Sequence, residues 1–175
     1  MLWYAARSAG LVAWGLLAAS TVLGLLVSTR LVPGRGGLAW AIDLHRGLAA
    51  LAVAFVAVHV GAVVAHGYVP IGVVGAIVPF VSRWHPLWIA WGIVALWLLI
   101  AVEVTSLARS RLPAGLWRRV HWLSLPLFVV ATVHGLAAGT DTGSVAAVGV
   151  AVVAGMAVAF LSAARLVPTG ENATS

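Results

Sequence analysis

The chain has 175 residues, of which 63% are hydrophobic and 8% are charged. A soluble domain needs a polar exterior, and this chain has too few polar side chains to form one. The composition therefore predicts one compact membrane domain. Cysteine is absent, which excludes disulfides, iron–sulfur clusters and thiolate chemistry. The formal charge of +6 reflects ten arginines and four acidic residues. Nearly all of the arginines lie near the ends of apolar runs, a placement typical of membrane topology rather than of nucleic-acid binding.

The first apolar run, AGLVAWGLLAASTVLGLLV, follows Arg7. The apolar region of a signal peptide usually spans about 7 to 15 residues, and this run is longer. We therefore interpret it as a retained helix.

Four further apolar runs follow, so the sequence predicts an all-α, polytopic bundle of five transmembrane helices. The predicted helices cover residues 4–28, 39–66, 86–108, 116–138 and 144–165. Breakers separate them in the segments VPGRGG, RLPAG and GTDTG. The apolar stretch VPIGVVGAIVPFV, residues 69–81, is too short to span, and we expect it to lie in the interface or to be re-entrant.

The distribution of arginines predicts the orientation. Five spans leave only Arg7 and Arg83 on one side, and the arginine-rich side is expected to be cytoplasmic. This places the N-terminus outside and the C-terminus in the cytoplasm of a multi-pass plasma-membrane protein. The arginines of the cytoplasmic side are Arg30, Arg35, Arg46, Arg109, Arg111, Arg118, Arg119 and Arg165.

Two pairs of histidines lie at matching depths on the second and fourth helices. His45 and His59 are fourteen positions apart in DLHRGLAALAVAFVAVHVG, and His121 and His134 are thirteen apart in RRVHWLSLPLFVVATVHG. The two helices run in the same direction, and a rise of 1.5 Å per residue separates the two levels by about 20 Å. A low-spin haem iron takes one axial ligand on each face, so two facing pairs of imidazoles are typical of two haem sites.

The helical phase supports this interpretation on one helix and challenges it on the other. Fourteen residues leave His59 about 40° from His45, whereas thirteen leave His134 about 140° from His121 on a straight helix. Pro126 lies between the second pair and removes a backbone hydrogen bond. A kink there is expected to restore the phase.

Other residues near the histidines fit a haem site as well. Small residues that allow a flat macrocycle to approach the backbone follow three of the histidines closely, and arginines near the inner pair are candidates to bind propionates. The glycines are Gly47, Gly61 and Gly135, and the arginines are Arg46, Arg118 and Arg119. The arginines are equally well explained as positive-inside determinants.

In this paired spacing the sequence resembles the ferric reductase-like transmembrane domain family, which includes ferric reductases and the membrane domains of NADPH oxidases. The family pattern is H-x13-H on one helix and H-x12-H on the next but one. The resemblance implies that His45 and His121 bind an inner b haem and that His59 and His134 bind an outer one. It also implies transmembrane electron transfer from a cytoplasmic donor to an outer acceptor such as ferric iron, oxygen or a partner protein.

Relatives of this type often append a flavin and nicotinamide domain, which the tail LVPTGENATS cannot contain. We therefore expect a dihaem domain over residues 1–167 and a short polar tail over 168–175. The donor is expected to be a separate flavin-containing reductase or a quinol, and the chain is expected to be an oxidoreductase component.

Two other functions remain open at this point. In the first, the histidines bind a metal ion or hold helices together in a non-redox scaffold or transporter, whose substrate path would involve His66, His85 and Glu103. In the second, the chain is the cytochrome subunit of a larger quinone-linked complex. The plainer roles of His66 and His85 are interfacial polar side chains, while Glu103 would pair with Arg46 or another inner arginine.

Overall fold

The computed structural model describes residues 1–29, 31–65, 71–139 and 144–166. Within these ranges all regular structure is helical, and five segments are long and apolar enough to cross a membrane. The prediction of an all-α, polytopic helical bundle is therefore confirmed. The helices are α1 (Leu2–Ser28), α2 (Arg35–Ala65), α3 (Gly72–Ile77), α4 (Pro86–Leu107), α5 (Ala114–His121), α6 (Ser124–Ala138) and α7 (Val145–Leu166), with α5 and α6 forming one span.

The turn between α1 and α2 is shorter than the segment VPGRGG predicts. Gly34 has φ +73°, a left-handed conformation that glycine adopts without steric cost. Because Gly34 makes the turn, α2 already begins at Arg35, four residues before the expected start.

The described part of the stretch 69–81, residues 71–81, does not span, as expected. It contains α3, whose six residues rise about 9 Å, against the roughly 30 Å of the hydrocarbon core. The indole Nε1 of Trp97 in α4 donates to the carbonyl of Ile77 at 3.0 Å, which fixes the end of α3 against α4.

The loop before α4 has an unusual backbone. Phe80 and His85 have φ of 68° and 41°, in the left-handed region that residues with a side chain rarely adopt. The buried side chain of Ser82 donates to the carbonyl of Trp84 at 2.9 Å and accepts from its N–H at 3.2 Å. These two bonds hold the loop immediately before α4 begins at Pro86.

The fourth span is broken at Trp122 and Leu123, between α5 and α6. Pro126 has no N–H to donate to the carbonyl of Trp122, which accepts from the N–H of Leu125 instead, at 3.2 Å. The N–H of Leu123 likewise bonds three residues back, to Val120 at 2.9 Å. Such 3₁₀-type bonding advances the chain by about 20° more per residue than an α-helix does, which brings His134 towards the phase of His121.

Helix packing leaves the two histidine-bearing spans apart from each other. In the described part of the chain, α2 packs chiefly on α1, and α6 packs chiefly on α4. The buried face of α1 consists mainly of small residues, including Ala6, Ala9 and Ala13, which allow close approach between membrane helices. The core continues between α1, α6 and α7 around Leu25, Phe128 and Leu161. The exposed faces are rich in large apolar residues, as lipid contact requires.

Candidate haem-binding site

The four histidines of the second and fourth spans form two facing pairs. The ring centroids of His45 and His121 are 6.1 Å apart, with an angle of 74° between the ring planes. Those of His59 and His134 are 6.4 Å apart at 78°. The first histidine of α2 faces the first of the fourth span, and the second faces the second. The two spans therefore run parallel, as the sequence predicts.

These separations match two imidazoles that share one metal ion. A metal–imidazole bond of about 2 Å on each side, together with the sizes of the rings, places two opposed ring centroids about 6 Å apart. Among the described residues, no group of three or more His, Cys, Asp or Glu side chains could hold a metal ion. Two protein ligands on opposite sides fit the axial positions of a metallated macrocycle better than a tetrahedral zinc site.

Hydrogen bonds orient three of the rings through Nδ1. Each of these nitrogens donates to a backbone carbonyl of a neighbouring helix: His45 to Ser20 at 2.9 Å, His59 to Ala6 at 2.7 Å and His134 to Trp88 at 2.8 Å. A proton on Nδ1 leaves the lone pair of Nε2 available to bind a metal ion. A carbonyl behind a metal-binding imidazole is the arrangement that orients the ring and raises its basicity.

His121 has different surroundings. Its Nδ1 lies 3.3 Å from the hydroxyl of Ser106, a longer contact than the three carbonyl bonds. The indole of Trp117 stacks on the imidazole, with centroids 5.1 Å apart and planes at 26°. The guanidinium of Arg109 lies 4.4 Å from the centroid of the Trp117 ring. A stack of cation, indole and imidazole thus orients this ring, where a backbone carbonyl orients the other three.

Glycines face three of the imidazoles. A Cβ atom on Gly10 would lie 2.8 Å from Nδ1 of His59, and one on Gly92 would lie 2.6 Å from Cε1 of His134. A Cβ atom on Gly24 would lie 3.1 Å from Cε1 of His45. Real Cβ atoms essentially never come within 3.0 Å of such neighbours, so a larger residue would displace the ring at Gly10 and Gly92.

A cavity of about 580 Å³ surrounds the outer pair, a volume in the range of sites that bury a whole ligand. His59 and His134 line it, and so does Thr132, whose Oγ1 accepts a hydrogen bond from Nε1 of Trp14 at 2.9 Å. The remaining lining is predominantly apolar. The polar and aromatic side chains that also line it include Trp3, Arg7, Trp14 and Trp84. An apolar cavity with two imidazoles on its walls is suited to a large, flat, mostly apolar ligand.

Within the residues that the structure describes, the arginines and glycines predicted near the histidines do not contact the imidazole rings as the residues above do. The three arginines predicted to bind propionates, Arg46, Arg118 and Arg119, are exposed and lie within three residues of His45 or His121. Gly47 and Gly61 have open space where a Cβ would stand, and Gly135 has the same and lines the cavity.

Two of the remaining sequence candidates, His85 and Glu103, lie outside both pairs. His85 is exposed, and its ring meets that of Trp84 edge-on at 4.6 Å. Glu103 is half-buried in α4, and among the described residues the structure gives no ion pair between it and Arg46 or another inner arginine, so the expected pairing is not confirmed. His66 lies outside the described residues.

Sequence reasoning missed the residues behind the histidines. These residues belong to α1, α4 or α5, and none of them is a histidine that could bind haem iron. They are Ser20, Ser106, Trp117 and the three glycines that face the rings. One signal was present: Gly10 and Gly24 are fourteen positions apart on α1, the same interval as His45 and His59 on α2.

The fold and this site define a class: a five-span helical membrane protein whose second and fourth spans oppose two pairs of imidazoles. The sequence profile of the family described as "Ferric reductase like transmembrane component" matches residues 9–132. The chain belongs to this family, as its histidine spacing predicts. The matched range contains His45, His59 and His121 and ends two residues before His134.

Comparisons with curated proteins and with solved structures found no match. Membership of the family indicates a multi-pass membrane protein that takes part in transmembrane electron transfer. Domains of this family are generally haem-binding and associate with a separate redox partner.

Proposed function

We propose that this protein is a dihaem cytochrome b that carries electrons across the membrane. His45 and His121 bind the inner haem, and His59 and His134 bind the outer one. The observation that carries the proposal is the facing of both pairs at centroid separations of 6.1 and 6.4 Å. Because the chain has no cysteine, the haems are held without thioether bonds, which excludes c-type haem and is consistent with b-type haem.

Each haem would supply a one-electron couple within an apolar bilayer. The Nε2 atoms of the four histidines would hold the haem irons, and backbone carbonyls hold three of the rings in position. The fourteen-residue interval on α2 separates the two pairs by about 21 Å, so together they span most of the hydrocarbon core.

The inner end is the proposed entry point for electrons. Arg46, Arg118 and Arg119 lie on the same helices as the inner histidines, where they are placed to bind haem propionates. The donor is a separate cytoplasmic flavin-containing reductase or a membrane quinol. The acceptor at the outer face is ferric iron, oxygen or a partner protein. In this arrangement residues 1–167 form the haem domain in the plasma membrane, with the N-terminus outside.

The decisive experiment is a reduced-minus-oxidised absorbance spectrum of the purified protein, with a pyridine haemochrome determination of haem per chain. We expect a b-type spectrum and two haems. One haem per chain would contradict the second site. Colourless protein from haem-sufficient cells would overturn the proposal and favour the metal-binding scaffold or transporter. A quinone or further subunits in the same preparation would identify a larger quinone-linked complex.

A further inference from the structure

We propose that Gly10, Gly24 and Gly92 are positioning residues that fix the ring planes of three haem ligands. This inference rests on the proposed function, and it concerns two helices that carry no ligand themselves. Each glycine, together with the carbonyl four residues before it, forms a seat for one imidazole. The seats are Ala6 with Gly10 for His59, Ser20 with Gly24 for His45, and Trp88 with Gly92 for His134.

The geometry of the α-helix explains the interval of four. A carbonyl oxygen at position i points towards the N–H of position i+4, and the Cβ of residue i+4 points back towards the N-terminus, beside that oxygen. An imidazole that donates Nδ1–H to the carbonyl must therefore occupy the space of that Cβ. Only glycine leaves this space free.

Two of the three seats lie on α1 and follow the spacing of α2. Gly10 and Gly24 are fourteen positions apart, as are His59 and His45, and the two helices run in opposite directions. Two different turns of α1 therefore contact the two histidines of α2, each at the depth of that histidine in the membrane. The third seat, on α4, serves His134 of α6 in the same way.

The seats contribute to the angle between the two rings of each pair: they hold both rings of the outer pair and His45 of the inner pair, where Trp117 stacks on His121 instead. Those angles are 74° for the inner pair and 78° for the outer pair. Nearly perpendicular axial imidazoles leave the ferric d orbitals almost degenerate, which gives a highly anisotropic low-spin EPR signal. Rotation of one ring towards its partner's plane lifts this degeneracy, and the signal becomes rhombic. The EPR signal therefore reports the orientation of the rings and not merely the presence of haem.

The experiment compares single glycine-to-alanine variants, each studied in the full-length protein after its haem content has been measured. Gly92→Ala and Gly10→Ala should alter the outer centre alone, either by loss of one haem of two or by a shift of its EPR signal and midpoint potential. Gly24→Ala should alter only the inner centre. The effects should follow the Cβ approaches of 2.6, 2.8 and 3.1 Å, so that Gly92→Ala is the most severe and Gly24→Ala the mildest.

Gly155→Ala is the matched control, because a Cβ at that position of α7 would have nothing within 4 Å. Alanine favours helix over glycine, so the substitution itself does not weaken the helix. The inference is overturned if Gly92→Ala and Gly10→Ala keep two haems with wild-type EPR signals, or if Gly155→Ala changes the signals equally. Absence of haem from the wild-type protein would instead refute the proposed function, so the two failures are distinguishable.

Discussion

The hydroxyl of Ser106 lies 3.3 Å from Nδ1 of His121, and it occupies the place that a backbone carbonyl takes behind the other three histidines. His45 has both kinds of partner, since the carbonyl and the hydroxyl of Ser20 lie 2.9 and 3.0 Å from its Nδ1. The inner site thus contains His45, whose Nδ1 has two hydrogen-bond partners, and His121, whose Nδ1 has one longer contact. This difference can be tested with a matched pair of serine variants.

Ser106→Ala should weaken the inner site. Loss of the acceptor makes the imidazole of His121 less basic, which destabilises the ferric state and raises the inner midpoint potential. Hydrogen-bond partners of metal-binding side chains typically contribute about 10- to 100-fold to metal affinity. A tenfold difference between the affinities for ferric and ferrous haem corresponds to a shift of about 59 mV in the midpoint potential. A potentiometric titration measures the shift. Ser20→Ala is the control, because His45 keeps the Ser20 carbonyl, and an equal shift in both variants would contradict the assignment.

Replacement of either outer histidine should remove one haem and leave the other. His59→Ala and His134→Ala each take one axial ligand from the outer pair, while the inner pair at 6.1 Å is untouched. We expect the haemochrome value to fall from about two to about one per chain, since a b-type haem is held by its two axial ligands. His85→Ala should keep both haems, because His85 is exposed and outside the pairs. Two full equivalents in both outer variants would refute the ligand assignment.

Arg109→Gln should lower the midpoint potential of the inner haem. The guanidinium lies against Trp117, which stacks on His121, so its positive charge disfavours the ferric state. The expected shift is on the order of tens of millivolts and should shrink in high salt, because Arg109 is exposed. Arg111→Gln provides the control in the same 3₁₀ turn. Equal shifts in the two variants would show a general charge effect without a role for the stack.

Thr132→Val should lower the stability of the bundle without removing haem. The variant loses the interhelical bond from Trp14 to Thr132, which joins α1 to α6 at 2.9 Å. Such bonds in membrane helices contribute about 0.6 kcal/mol on average and about 1.7 at most. Unfolding in mixed detergents measures the loss. Thr105→Val is the matched control, since its hydroxyl bonds only within α4, to Ala101 and Val102. An equal loss of stability in Thr105→Val would show that the interhelical hydrogen bond makes no specific contribution.

The C-terminus should lie in the cytoplasm. Eight of the ten arginines fall on that side of the five-span topology, and the arginine excess determines the orientation of membrane proteins. A reporter that is active only in the cytoplasm should work when fused after the last residue and fail when fused before Met1. The opposite result would reverse the proposed direction of electron flow as well.

The sequence by itself determined the class of fold, the number of spans and the pairing of histidines by depth. These follow from local properties: the length of an apolar run, the rise per residue, and an interval that puts His45 and His59 on one face of α2. The position of Pro126 also predicted a distortion in the fourth span. The break at Trp122 and Leu123 rotates His134 about the helix axis. The size of this rotation depends on which carbonyls accept from the N–H groups of Leu123 and Leu125, and the choice of carbonyl depends on helix packing as well as on the proline.

Only the tertiary structure decided what lies behind each ring. The partner of His59 is a carbonyl of Ala6, and every residue carries a carbonyl, so no residue type marks this role. The sequence drew attention to Gly47 and Gly61, which are neighbours of the predicted ligands in the chain, whereas Gly10 and Gly24 approach the rings from another helix. Which face of α1 meets α2 depends on the crossing and rotation of the two helices. These are set by side-chain packing between spans, and local sequence patterns do not encode them.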